Sequence, residues 1–313
     1  MKNRCIFTTA FLGPCLGMVL MVLPLSCKRA GEDARHLETK HSAPPAISEP
    51  SVLIPPRPAR LGESSSRKAE EHELAVGELV QAAKEDAVLE PDQARDLLAF
   101  IAGPKPATLT DREWEERVNV TLNLLRAQPD VLGLADTLLR MGEFDGNVVL
   151  RLYAMQHLAL WYGREKSTEK KEEIISLFER LARDGGETAG SAVQFLADIR
   201  RMNPNALTSD GTLASPEAVR LAGDDSAANG IRISAILTCV DTRDAAVLPV
   251  ARRIVVDESR VIPLRKAAIH SLGVLGAVED GALLERLQGD PDLKPAAEPA
   301  LKMWQERVGE PGE

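Results

Sequence analysis

The chain has 313 residues, of which 44% are hydrophobic and only 4% aromatic, a composition that favours packed helices over β-sheets. Its formal charge is -9, and removing Lys2 and Arg4 with residues 1–26 leaves 36 of the 38 basic residues against 47 acids, a charge of -11. A field of this sign repels phosphate backbones and argues against nucleic acid as a partner.

Residues 1–26 have the layout of a secretory signal peptide. Two basic residues precede an uncharged apolar run from Ile6 to Leu25, and the small residue Ser26 follows. A membrane span is the alternative, since about 20 apolar residues could cross a bilayer. Two glycines and two prolines inside the run make it a poor continuous helix, so the pattern favours export with cleavage.

The segment Leu23-Pro24-Leu25-Ser26-Cys27 resembles the lipobox of bacterial lipoproteins. In that family the cysteine becomes the lipidated first residue, so the resemblance implies a lipid on Cys27 and a membrane anchor in the cell envelope, facing the periplasm or the surface. Leu23 stands four residues before Cys27 rather than three, which leaves cleavage by ordinary signal peptidase as the alternative. Besides Cys27 the mature chain keeps only Cys239, which we expect to be buried and inert rather than disulfide-bonded to Cys27.

Residues 27–70 are rich in proline and serine and show no helical or strand periodicity over ten residues. Such a segment cannot bury enough apolar surface to offset its ordering entropy, which predicts a disordered tether. A helical region at 71–110 is predicted to cap a helical body at 111–309.

From residue 71 onward, apolar residues recur at helical spacing and turn signals separate them. Thr110 with Glu113 forms a predicted capping box, and Ser215 before Pro216 is a predicted helix start. The predicted helices span 72–86, 91–102, 111–127, 130–141, 146–163, 169–183, 187–202, 215–222, 228–240, 244–257, 261–276, 279–288 and 294–308.

One pattern recurs along this body: a small residue followed four positions later by a hydrophobe, in most copies with a basic residue three positions before the small one. Positions three and four apart share a helical face, so we expect both residues to pack against the neighbouring hairpin. We expect the basic residue to pair with an acid in the preceding loop, for instance Arg151 with Asp145, and Lys294 with Asp290 or Asp292. The predicted repeat-packing pairs are Val120/Leu124, Ala154/Leu158, Ala192/Leu196, Ala235/Cys239, Ala268/Leu272 and Ala297/Leu301.

The small positions are 29 to 43 residues apart, a period typical of helical-repeat proteins. The segment 264–276, followed by Asp290-Pro291-Asp292, resembles short bacterial HEAT repeats of the kind found in phycobilin lyases. The resemblance covers about 111–308 and weakens at 203–225. It implies an all-α fold, a right-handed α-solenoid of helical hairpins, whose inner helices commonly bind partner proteins in that family. Pro295 and Pro299 inside the last predicted helix suggest a kink or a late start.

No nucleotide-binding, hydrolase or zinc-site motif occurs in the sequence, so we expect no enzyme activity, no cofactor and no metal. The run Glu169-Lys170-Lys171-Glu172-Glu173 is interpreted as a solvated helix face. The expected function is a non-catalytic exported lipoprotein that acts as a protein-binding scaffold for an unidentified partner. The alternatives are an enzyme-like or chromophore-handling relative of the HEAT-repeat lyases and a purely structural envelope protein.

Overall fold

The computed structural model describes residues 88–144, 146–203 and 214–309. The predicted signal peptide, Cys27, the tether at 27–70, the helix at 72–86 and most of the irregular stretch after Met202 lie outside the described residues. Within the described ranges every regular element is helical and no strand occurs, which confirms the all-α prediction.

Twelve α-helices follow one another in the described part of the chain, with two short 3₁₀ turns between them. In chain order they are α1 (Pro91–Ala102), α2 (Asp111–Ala127), α3 (Leu134–Glu143), α4 (Val148–Trp161), α5 (Thr168–Asp184), α6 (Ala189–Met202), α7 (Ala214–Gly223), α8 (Asn229–Asp241), α9 (Leu248–Val256), α10 (Ile262–Leu275), α11 (Gly281–Leu287) and α12 (Lys294–Gly309).

Capping chemistry explains why the sequence located the first two helices correctly. At the start of α2 the hydroxyl of Thr110 accepts a hydrogen bond from the Glu113 backbone, and the Glu113 carboxylate accepts one from the Thr110 backbone. This reciprocal arrangement is the predicted capping box, and it satisfies donors that the helix itself leaves unpaired. Pro91 opens α1, where its missing N–H costs nothing.

Other helix ends differ from the sequence-based expectation. The third helix begins at Leu134 instead of residue 130, because Gly133 adopts a left-handed conformation with a φ of 84° and starts the helix there. The predicted helix at 244–257 is a 3₁₀ turn over Ala245–Val247 followed by α9. Ser215 lies inside the first turn of α7 and not before it.

The last helix runs through both of its prolines. It begins at Lys294, so the predicted late start is wrong, and Pro299 lies within it. Both prolines are exposed, so water can reach the backbone carbonyls that the prolines leave without a donor.

The helices pack in an alternating order along the chain. Each even-numbered helix from α2 to α12 contacts the next even-numbered one, and each odd-numbered helix from α1 to α9 contacts the next odd-numbered one. Successive helices α1–α2, α3–α4, α5–α6, α7–α8, α9–α10 and α11–α12 also contact each other as hairpins. The even-numbered series makes the more extensive contacts, so most of the core lies along it.

Glycine allows the closest approaches between even-numbered helices. A Cβ at Gly273 of α10 would lie 2.7 Å from the Cα of Ala300 in α12. A Cβ at Gly190 of α6 would lie 3.0 Å from the Cα of Ile231 in α8. Both contacts involve backbone atoms, which cannot rotate away as the end of a side chain could. A side chain at Gly273 would therefore force the two helices to shift, whereas one at Gly190 would need a smaller adjustment.

Candidate functional site

Five of the six predicted repeat-packing pairs lie on the buried face of an even-numbered helix. These ten residues lie in α4, α6, α8, α10 and α12, and each is at least nine-tenths buried. These residues are Ala154, Leu158, Ala192, Leu196, Ala235, Cys239, Ala268, Leu272, Ala297 and Leu301. The lipidation residue Cys27 lies outside the described residues.

The first copy of the pattern was assigned one residue out of register. Val120 is 42% exposed and Leu124 is only partly buried, whereas Thr121 and Leu125 of α2 are both fully buried. The error arose because apolar residues occupy every second position from Val118 to Leu124. This spacing fits two different helix faces equally well, so the sequence did not show which face is buried. The buried face contains the polar residue Thr121, which the search for small and apolar residues passed over.

The basic residue of the repeat has a hydrogen-bond partner that the sequence did not predict. Arg232 of α8 is 1% exposed and donates from Nε to the carbonyl of Ala222 at 3.1 Å, near the end of α7. Arg265 of α10 donates in the same way to the carbonyl of Val255 at 3.1 Å, near the end of α9. Each arginine thus supplies a donor to carbonyls that a helix C-terminus leaves unpaired.

The predicted ion pair with an acid in the preceding loop forms at Arg232 but not at Lys294. Arg232 pairs with Asp225 in the preceding loop at 2.9 Å, as predicted. Lys294 pairs with Glu298 on its own helix at 3.5 Å, so the predicted pairing with Asp290 or Asp292 is wrong. The proposed partner of Arg151, Asp145, lies outside the described residues.

Three loops carry a regular feature that the sequence-based reasoning missed. Asp224, Asp257 and Asp290 stand 33 residues apart, and each carboxylate accepts a hydrogen bond from the backbone of the residue two positions later. Hydrogen bonds from Ser259 and then from Arg260 lower the pKa of Asp257 to about 2. The fixed spacing of these aspartates was the available signal.

The described part of the chain contains two histidines, and both have lowered pKa values. Burial, and then the charge of Arg126, lowers the pKa of His157 to about 4. Its side chain is 2% exposed, its Nε2 lies 3.5 Å from Oδ1 of Asn119, and its Nδ1 has no hydrogen-bond partner. Burial also lowers the pKa of the half-buried His270. His157 is therefore a neutral, buried imidazole that packs at the contact between α2 and α4.

Cys239 is the free cysteine of the described ranges and is fully buried. Burial, and then the nearby charge of Asp244, raises the pKa of its thiol to about 12. Because the thiolate is the reactive form, this thiol is inert near neutral pH.

Two further observations concern metals and membranes. Among residues 88–144, 146–203 and 214–309, no group of three or more His, Cys, Asp or Glu side chains could hold a metal ion. None of the helices described above has both the length and the hydropathy that a membrane span requires.

The candidate interaction site is a groove between α3 and α5, which we call the α3/α5 groove. Its volume is about 590 Å³. The α3 wall uses positions separated by three or four residues, and the α5 wall does the same over three turns, so one face of each helix lines it. The lining residues are Asp136, Leu139, Arg140, Glu143, Glu169, Glu172, Glu173, Ser176, Leu177 and Arg180.

Ion pairs join the two walls at both ends of the groove. Lys170 of α5 binds Asp136 of α3 at 2.8 Å, and Arg180 of α5 binds Glu143 of α3 at 2.5 Å. The hydrogen bonds to Asp136 and then to Glu173 raise the pKa of Lys170. Because the residue order is the same along both helices, α3 and α5 run parallel, and each pair bridges the two helices.

The floor of the groove is apolar. Leu177 is 2% exposed, and Leu139 is partly buried against the core. Gly142 of α3 permits this packing, because a Cβ there would lie 2.9 Å from a methyl carbon of Leu177. Apolar side chains framed by charged walls are typical of surfaces that bind other proteins.

Sequence reasoning placed the charges of this groove but not the groove itself. The run from Glu169 to Glu173 was interpreted as a solvated face, and Glu169 and Glu172 are indeed exposed. The interpretation missed that the same face of α5 lies beside α3, about 34 residues earlier in the chain. The available signal was that charged residues recur every three or four positions on both α3 and α5, two helices apart in the chain.

Comparisons with protein-family models, with curated proteins and with solved structures found no match for this chain.

Proposed function

We propose that this chain is a non-catalytic scaffold that binds other proteins through an α-solenoid of HEAT-like hairpins. The observation that supports this most strongly is the alternating packing, in which every helix from α1 to α8, and also α10, contacts the second helix after it. Such nearest-neighbour stacking is typical of repeat proteins, which present extended surfaces to partners instead of one enclosed site. A right-handed sense of stacking is part of this proposal.

The scaffold is proposed to be exported and anchored to a membrane of a bacterial cell envelope by a lipid on Cys27. The basic start, the apolar run and Ser26 before Cys27 support the anchor. The segment 27–70 then acts as a tether, because Pro-rich chains of this length extend over many residues. Neither nucleic acid nor a cofactor enters the proposal.

The binding function can be tested by photo-crosslinking in cells that express the full chain. A photoreactive amino acid is placed singly at three exposed positions: Ser176 in the α3/α5 groove, Val120 on α2 and Lys302 on α12. A scaffold should form a discrete protein adduct from one face and not from the others. Absence of a discrete adduct at every position would contradict the scaffold.

The anchor needs a separate experiment. Cys27→Ser should move the protein from the membrane to the soluble fraction, and Ser26→Ala, which keeps a small residue before Cys27, serves as the matched control. Retention of the Cys27→Ser protein in the membrane fraction would overturn the lipid anchor without affecting the crosslinking result.

A further inference from the structure

The α3/α5 groove contains two acids for which the described residues supply no ion-pair partner. Lys170 binds both Asp136 and Glu173, and Arg180 binds Glu143. These bonds involve three of the five acids that line the groove. The remaining two, Glu169 and Glu172, make no ion pair within the described part of the chain.

The position of these two acids is suited to a ligand. They lie three residues apart on α5, so both carboxylates project from the same side of the helix. Both side chains are exposed at the groove, while the apolar floor of Leu139 and Leu177 lies between the two walls. An occupant can therefore meet negative charge and apolar surface together.

The dimensions of the groove suit a protein segment. The α5 wall extends from Glu169 to Arg180, which corresponds to about 16 Å of helix at 1.5 Å per residue. This length fits about five residues of an extended chain or three turns of a helix. Inter-helix ion pairs at both ends mark the limits of this wall.

We propose that the α3/α5 groove binds a basic segment of a partner protein. The segment has Lys or Arg side chains three or four residues apart, which pair with Glu169 and Glu172, and a Leu-sized side chain that covers the exposed part of Leu139. Arg140, which donates to Thr137 at 3.3 Å, stands on the opposite wall and offers a donor to a backbone carbonyl of the segment. This inference rests on the proposed scaffold function and names the chemistry of its partner.

The test measures the binding of a synthetic peptide to the full chain by fluorescence anisotropy. The probe is an eleven-residue peptide of Lys and Leu with a helical pattern, and its counterpart carries Glu in place of each Lys. The Lys peptide should bind at least tenfold more tightly than the Glu peptide, and a Lys peptide with Ala in place of Leu should bind more weakly. Equal affinity for the Lys and Glu peptides would overturn the proposal.

Two matched variants decide whether the binding occurs in the groove. Glu169→Gln with Glu172→Gln removes the two unpaired acids, and Glu258→Gln with Glu285→Gln removes the same charge from exposed positions elsewhere. The groove variant should raise the Kd at least fivefold, and the control should change it less than twofold. Equal effects of the two variants would show non-specific attraction to an acidic surface and would refute the groove.

The outcome is separable from that of the scaffold test. If Val120 or Lys302 forms a protein adduct and Ser176 does not, the scaffold stands and the groove proposal falls. If an adduct at Ser176 consists of two copies of this chain, the groove is a self-association surface and the basic partner is refuted.

Discussion

The Nε of Arg232 donates a hydrogen bond of 3.1 Å to the carbonyl oxygen of Ala222, ten residues earlier in the chain. The next hairpin repeats this arrangement between Arg265 and Val255 with the same separation and the same distance. The second helix of each hairpin therefore caps the C-terminus of the first, which couples the two helices through a buried cation. The basic residue of the repeat thus serves hairpin closure.

Replacing Arg232 with methionine should destabilise the fold. The Ala222 carbonyl would lose its donor in a buried environment, which costs about 1–3 kcal/mol. Urea unfolding of Arg232→Met should show a lower midpoint with an unchanged slope. Arg253→Met is the control, because Arg253 is exposed on α9 and should change stability by less than about 0.5 kcal/mol. Equal losses would indicate that the buried hydrogen bond is not the cause.

Gly273→Ala should separate α10 from α12. The added Cβ would lie 2.7 Å from the Cα and 2.8 Å from the carbonyl oxygen of Ala300, and overpacking of this kind costs about 1–3 kcal/mol. Gly230→Ala provides the control, since a Cβ there meets nothing within 4 Å and alanine favours a helix. The melting temperature should fall for the first variant and stay equal or rise for the second. A fall for both would contradict the close approach.

Ala268→Leu tests whether the body is a stack of repeats. Ala268 is fully buried in α10, so the larger side chain should cost about 1–3 kcal/mol, whereas Glu285→Leu at an exposed position should be nearly neutral. Hydrogen exchange should rise first between α8 and α12 while α2 to α4 stay protected, because repeat stability is a sum of nearest-neighbour terms. A uniform loss of protection along the chain would contradict the solenoid.

His157 should make the stability depend on pH. Its pKa of about 4 in the fold is lower than the value of 6.5 that it has when exposed, so the unfolded chain binds the proton more tightly. The free energy of unfolding is therefore unaffected by His157 well above pH 6.5. Protonation of this residue in the unfolded chain lowers it by about 2 kcal/mol at pH 5 and by about 3 kcal/mol at pH 4. His157→Gln should remove this part of the decline.

The control for that experiment is His270→Gln. The His270 side chain is only half-buried, and Asp241 partly counteracts the effect of burial on its pKa. This variant should therefore change the slope of stability against pH less than His157→Gln does. Denaturant midpoints measured from pH 7 to pH 4 provide the comparison, and equal slopes for the His157→Gln and unaltered chains would refute the assignment.

The sequence alone determined the helical class and most helix limits. The bounds of α1 and α2 were predicted to the residue because Pro91 and the pair Thr110 and Glu113 mark helix starts through local chemistry. The buried face of the even-numbered helices from α4 to α12 also followed from spacing, since small and apolar side chains recur on one face. Interactions of this kind lie within a few residues, so the local sequence contains them.

Tertiary structure decided the remaining features, because each depends on residues far apart in the chain. The register of α2 was resolved only by the burial of Thr121, which its polarity concealed. The hydrogen bonds from Arg232 and Arg265 form only because each helix packs beside the C-terminal end of the helix before it. The α3/α5 groove exists because two faces 34 residues apart lie side by side, and no local pattern specifies which helix faces become neighbours.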